Sequence, residues 1–89
     1  MRNSDKVTEI QLKLVNAGWL EGYALQEYGE FGKMGSLTYM AIYNVQCFYN
    51  ENCTDGNLMT YVLDDSGNPR EVDELTYDYI LNHLPMKPM

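Results

Sequence analysis

Apolar residues recur at intervals of three and four near the start of the chain, where Val7, Ile10, Leu14 and Ala17 line up on one face of a helix spanning Ser4 to Ala17. Ser4 or Asp5 supplies a side-chain oxygen for the first turn. Gly18 follows the last periodic residue, where a left-handed C-terminal conformation favours glycine. The periodicity lapses between residues 19 and 35, which hold Gly22, Gly29, Gly32 and Gly35 beside Trp19, Leu20, Tyr23, Leu25, Tyr28 and Phe31. So many large apolar groups do not suit a solvated linker, and the pattern predicts an ordered glycine-rich loop packed over the core. It resumes from Ser36 to Asn50, with Leu37, Ala41, Val45 and Phe48 on one side and Met40, Tyr43 and Cys47 beside them. A helix apolar around most of its circumference belongs at the centre of a domain.

Beyond the polar stretch Glu51 to Asn57, residues Leu58 to Leu63 carry strand-type side chains and run into Asp64-Asp65-Ser66-Gly67-Asn68-Pro69. Together with Arg70 to Val72 this predicts a short β-hairpin inserted before the last helix. That helix is expected over Asp73 to Asn82, capped by Asp73, with Leu75, Tyr79 and Ile80 or Leu81 turned inward. Pro85 and Pro88 end the order, so the chain divides into one domain over residues 4–82 and a C-terminal tail over 83–89. No internal repeat of useful length stands out.

With 89 residues, 45% of them hydrophobic, the chain has material for one core and none for a separate substrate domain. No apolar run reaches the ~18–20 residues a membrane-spanning helix needs. The polar start Arg2-Asn3-Ser4-Asp5-Lys6 lacks the apolar stretch of a secretory signal. Thirteen acidic residues against six basic ones leave a net charge of −7, and the basic residues are scattered, which argues against a protein that tracks nucleic-acid phosphates. Eight tyrosines outnumber two phenylalanines and one tryptophan; a ring with a polar handle suits half-buried positions and surfaces that meet sugars or proteins.

Catalysis needs a constellation that the chain does not offer. His83 is the sole histidine and stands near the chain end, away from any Ser or Cys partner by local spacing. Cys47 and Cys53, six apart with no second pair, are too few for zinc, so neither metal nor other cofactor is expected. The two cysteines can bridge if the second helix stops near Asn50 and the chain doubles back; otherwise Cys47 is a core thiol and Cys53 a loop residue. Asp64 to Asn68 lacks the spacing and distal glutamate of a calcium loop and reads as a turn. The pairs Glu27 with Glu30 and Asp73 with Glu74 carry no sign of the buried cleft that a glycosidase needs and read as solvated faces.

Three blocks of residues resemble the peptidoglycan-binding-like domain, a small module often attached to cell-wall hydrolases. Val7, Ile10-Gln11, Leu14 and Gly18-Trp19 sit at the intervals of that family's first helix. Tyr28-Gly29-Glu30-Phe31-Gly32 parallels its D-G-x-F-G turn, and Thr38, Ala41-Ile42 and Val45-Gln46 follow its T-x-x-A-V-x-x-F-Q helix. Val72-Asp73, Thr76-Tyr77 and Ile80 echo its closing V-D-x-x-T-L-x-x-L. The match covers roughly residues 4–81 and departs at Tyr28, which replaces the turn aspartate, in three extra residues before Thr38, and in a longer segment 51–71. The resemblance implies a mainly α, small three-helix orthogonal bundle.

The matched residues also have a reading that needs no ligand. Gly29 and Gly32 let the turn drive Phe31 inward as a plug, Ser36 or Thr38 caps the second helix, and Gln11 and Gln46 satisfy loop N–H and C=O groups.

The function implied by the resemblance is a noncatalytic bacterial module, extracellular or in the cell envelope, that binds cell-wall peptidoglycan and holds a linked or partner hydrolase near it. A disulfide between Cys47 and Cys53 would suit that setting. The expected carbohydrate-binding surface comprises Trp19, Tyr23, Glu27 and Tyr28 from the glycine-rich loop with Tyr49 and Asn50 from the end of the second helix. The alternative is an acidic protein-interaction, adaptor or inhibitor module on the same scaffold, without glycan binding.

Overall fold

The computed structural model describes residues 3–89, with side chains from Asp5 onward. Among the described residues four helices form a small bundle: α1 (Asn3–Asn16), α2 (Gly22–Glu27), α3 (Ser36–Asn52) and α4 (Glu74–Asn82). The α1 stripe of Ile10 and Leu14, continued by Ala17 just past the helix, meets Ala41, Ile42 and Val45 of α3 and Ile80 of α4, with Trp19 and Val62 completing the buried cluster. Gly18 turns the chain out of α1 at φ +82°, as its position predicts. Because α1 begins at Asn3, Asp5 lies inside its first turn; the Ser4 side chain is outside the described residues.

Two connections depart from expectation. The glycine-rich stretch contains α2, whose six residues are too few for a periodic signal and which buries Leu25. The expected hairpin reduces to one isolated antiparallel bridge, Leu63 to Pro69, around the Asp64 turn. Next to that bridge Val62 O accepts from Arg70 N at 2.7 Å, while the other partners of residues 59–62 are side chains from elsewhere. Asn50 accepts from the Met59 amide at 2.8 Å and donates to its carbonyl at 3.0 Å. Asp73 accepts from Thr60 N at 2.8 Å, while Gln46 donates to Thr60 O at 2.9 Å and accepts from Val62 N at 2.8 Å. Side chains thus take the place of most of a strand partner, satisfying the polar backbone while Met59 and Val62 fill the core. Asp64 is used locally: its Oδ1 accepts from Ser66 N and Asn68 N at 2.9 and 2.8 Å, and these bonds, that from Asn68 foremost, hold its carboxyl below the usual range despite some desolvation.

The last residues are also part of the fold. Lys87 N donates to Ala17 O at 2.7 Å, Trp19 Nε1 donates to Pro85 O at 2.9 Å, and Leu84 packs on the core. The boundary expected after residue 82 is therefore crossed by a docked strap that roofs the tryptophan.

A pair of matching polar clasps ties the helices together. In the first, Gln11 of α1 accepts from Gly32 N at 2.9 Å and donates to the carbonyls of Glu30 and Lys33 and to Thr38 Oγ1 at 2.9, 3.0 and 2.9 Å. Thr38, in the first turn of α3, donates through both its hydroxyl and its amide to Glu30 Oε1 at 2.9 Å. In the second, Gln46 of α3 serves the 60–62 backbone and donates to Thr76 Oγ1 at 3.0 Å. Thr76, in the first turn of α4, donates through its hydroxyl and its amide to Asp73 Oδ1. All four amide and threonine residues are fully buried, and among the described residues no buried side-chain nitrogen or oxygen lacks a partner. The sequence around the threonines repeats as well: Leu37-Thr38-Tyr39, Ile42 and Asn44 correspond to Leu75-Thr76-Tyr77, Ile80 and Asn82.

The clasps differ in the origin of their carboxylate. Asp73 is the N-cap of α4 and serves its own helix, as expected. At α3 the N-cap is Gly35, with no side chain to offer, and neither Ser36 nor Thr38 caps the helix as expected. A Cβ at position 35 would lie 2.4 Å from Glu30 Cδ, so the Glu30 carboxylate occupies the space of a capping side chain and performs its work from five residues away. This also explains Phe31. The tight turn, with Gly29 and Gly32 at φ +63° and +80°, directs Glu30 inward, and its neighbour Phe31 is left 42% exposed rather than forming a plug.

Candidate functional site

The expected ligand-binding residues do not converge. Trp19 is only 8% exposed, stands edge-on to Phe48 with ring centroids 5.8 Å apart, and has its indole N–H engaged by Pro85. It is core. Asn50 uses both ends of its amide on Met59, and Tyr49 packs edge-to-face on Tyr79 at 4.9 Å. Desolvation there, with the nearby Cys53 and Asp55, raises the Tyr49 hydroxyl above its ordinary pKa. Both are committed to structure.

The cysteines are free thiols. Because α3 continues through Asn52, the chain does not double back early enough; six residues of helix separate the two positions by about 9 Å along the axis, beyond the span of a disulfide. Cys53 Sγ instead donates to Asp55 Oδ1 at 3.0 Å, which is the main reason the Asp55 carboxyl lies below its usual range.

Tyr23, Glu27 and Tyr28 remain together on α2 and its C-terminal cap, with the two rings 70% and 72% exposed. Tyr23 and Glu27 are one turn apart, as are Ala24 and Tyr28, the latter pair joined by a 3.0 Å backbone bond from Tyr28 N to Ala24 O. The neighbouring Glu21 carboxylate raises the Tyr23 hydroxyl above its ordinary pKa.

A groove of about 460 Å³ runs between α2 and the first half of α3. Ala24 forms one wall, Leu37 and Met40 the other, and the edge of Trp19 lies at the base. Three polar residues also line it: Glu21, Asn44 and Lys87. Met40 is 53% exposed, and Asn44 is exposed as well. Apolar walls with a few hydrogen-bonding groups suit a ligand that combines apolar faces with hydroxyls or amides. The aromatic content of the glycine-rich stretch pointed to Tyr23 and Tyr28, but nothing local pointed to Asn44 or Lys87, which reach the groove only because α2 folds back on α3 and the C-terminal strap crosses the tryptophan.

Other chemistry is sparse. Glu30, paired with Glu27 on sequence grounds as a solvated acid, is buried and fully used in its clasp, while Glu27 stays exposed. His83 caps the end of α4, exposed, with Nε2 3.7 Å from Asp78 Oδ2. Among the described residues no group of three or more His, Cys, Asp or Glu is arranged to hold a metal ion, and no helix is long and apolar enough to cross a membrane. Comparison with protein-family models, curated proteins and solved structures finds no match to this chain.

Proposed function

We propose that this chain is a noncatalytic peptidoglycan-binding module, related to the peptidoglycan-binding-like domains, that holds a linked or partner hydrolase at the cell wall. The observation that carries the proposal is the exposed Tyr23–Tyr28 pair beside the α2–α3 groove. Two large rings left in water by a small domain, next to a groove lined in part by Glu21, Asn44 and Lys87, fit the mixture of sugar faces, hydroxyls and peptide bonds in wall glycopeptide. The three sequence blocks add support, since their glutamines and threonines perform the same tasks in both clasps. Catalysis would be supplied by the partner, and the module's contribution would be local concentration.

A protein-docking function is the second reading, favoured by the apolar groove that Met34, Met40, Leu63 and Pro69 form beyond the start of α3. Co-sedimentation with insoluble peptidoglycan stripped of teichoic acid, over a salt series, separates the two. Wall binding is expected to persist at high salt and to weaken about tenfold in Tyr23→Ala and Tyr28→Ala, a change of about 1.4 kcal/mol, with no loss of stability because both rings are exposed. Absence of binding, or binding unaffected by both substitutions, would reject the wall reading.

A further inference from the structure

A second concavity, of about 340 Å³, lies where α1, α3 and α4 meet the segment leading into α4, and it shares no residue with the α2–α3 groove. Two of the six basic side chains of this acidic protein converge on it. Lys6 holds its Nζ 4.0 Å from the centre of the Tyr77 ring, and Arg70 approaches from the segment before α4. Among the described residues neither cation has a carboxylate at ion-pair distance; the charge of Arg70 reaches Asp64 only at longer range.

The walls have an origin in the repeated clasps. Tyr39 and Tyr77 are equivalent residues, each directly following a clasp threonine, and both line this cleft. The buried threonines therefore position two phenol rings on either side of one space. Val7, Met34 and Val72 supply its apolar surface, and the Glu71 carboxylate also faces it. Desolvation, with Tyr39 and Glu71 nearby, raises the Tyr77 hydroxyl above its ordinary pKa, so it stays a hydrogen-bond donor well above neutral pH.

We propose that this cleft binds a small organic carboxylate, its monoanionic head taken by Lys6 and Arg70 and its apolar body lying between Tyr39 and Tyr77. The planar guanidinium fork matches a carboxylate in two parallel hydrogen bonds. The net charge of −7 and the nearby Glu71 select a monoanion over a multiply charged phosphate, which the surrounding negative field would repel more strongly. The apolar surface of Val7, Met34 and Val72 between the rings favours an aryl or branched aliphatic body.

The test is NMR titration of the intact labelled domain with 3-phenylpropionate, with 3-phenylpropionamide and with inorganic phosphate. Saturable shifts at the amides of Val7, Glu71, Val72 and Tyr77 are expected with the carboxylate at millimolar concentration, and at least tenfold weaker binding with the amide. Lys6→Met and Arg70→Met, each retaining an aliphatic stem and first shown to give a native spectrum, should each weaken binding at least fivefold. Glu71→Gln should tighten it, a readout that does not depend on either cation variant remaining folded. No carboxylate binding, equal binding of the amide, equal binding of phosphate, or indifference to Glu71→Gln would overturn the proposal.

Discussion

Replacing Gln46 by leucine tests how far side chains, in place of most of a strand partner, hold residues 59–62. Gln46 is fully buried and makes three hydrogen bonds: it accepts from Val62 N at 2.8 Å and donates to Thr60 O and Thr76 Oγ1 at 2.9 and 3.0 Å. Leucine fills a similar volume but serves none of them. Val62 is itself fully buried, so its amide would be left without an acceptor, at a cost of about 1–3 kcal/mol. Thr60 O is only partly covered and would recover a water, losing about 1 kcal/mol, while Thr76 keeps its bond to Asp73. These losses come to about 2–4 kcal/mol, and the added apolar surface offsets part of them, leaving a net loss of about 1–3 kcal/mol. A domain of this size has a total stability of roughly 4–13 kcal/mol, so the change is large. Urea unfolding followed by Trp19 emission and by helical circular dichroism measures it, with the slope on urea checking that the unfolding reaction is unchanged. A loss below about 1 kcal/mol at unchanged slope would refute the reasoning and return the segment's stability to the packing of Met59 and Val62.

Two further outcomes follow from the clasps. Gly35→Ala would place a methyl 2.4 Å from Glu30 Cδ and is expected to cost about 1–3 kcal/mol; in a Glu30→Ala background most of that cost should vanish, and a double-mutant cycle by urea unfolding gives the coupling. Asp73 is partly desolvated, which opposes its charge, but hydrogen bonds from the Thr60 amide and from the hydroxyl and amide of Thr76 prevail and hold its carboxyl below the ordinary range. A carboxyl depressed in the folded state stabilises fully above its unfolded pKa of about 3.9 and loses that contribution as the pH falls through the lower folded value, so Asp73→Asn should flatten the loss of stability between about pH 5 and pH 2. Unfolding curves across that interval that keep the wild-type slope in the variant would exclude Asp73 as a source of acid sensitivity.

Much of the helical frame was legible in the chain because its signals are local. The periodic residues of α1 and α3, Gly18 at the end of α1 and Asp73 at the start of α4 each act within a turn or two of themselves, and the glutamines beside the apolar stripes announced buried amides. What escaped depends on partners far along the chain. Glu30 looks like a surface acid until Gly35 vacates the space that its carboxylate enters. Residues 58–63 read as a strand because their side chains are those of a strand, whereas the identity of the groups that satisfy their backbone lies in Gln46, Asn50 and Asp73. The repeat was masked by spacing: clasp glutamine and threonine are 27 residues apart in one case and 30 in the other, and the carboxylate stands eight residues before its threonine in the first but three in the second. The candidate site divided on the same principle. Tyr23, Glu27 and Tyr28 share a short helix, while the distant Trp19, Tyr49 and Asn50 were drawn away by Pro85, Tyr79 and Met59.

The division of labour on α3 has a consequence for how the molecule opens. This one helix lends Thr38 to the clasp that reaches back to α1 and Gln46 to the clasp that reaches forward to α4, two turns apart on a common shaft. Neither the amino-terminal nor the carboxy-terminal half can therefore close its own polar interior without the helix that also serves the other. Loop amides such as that of Gly32, held by Gln11 of α1, and that of Val62, held by Gln46 of the shaft, should exchange with solvent only when the whole structure comes apart, so that segments without regular secondary structure keep time with the core.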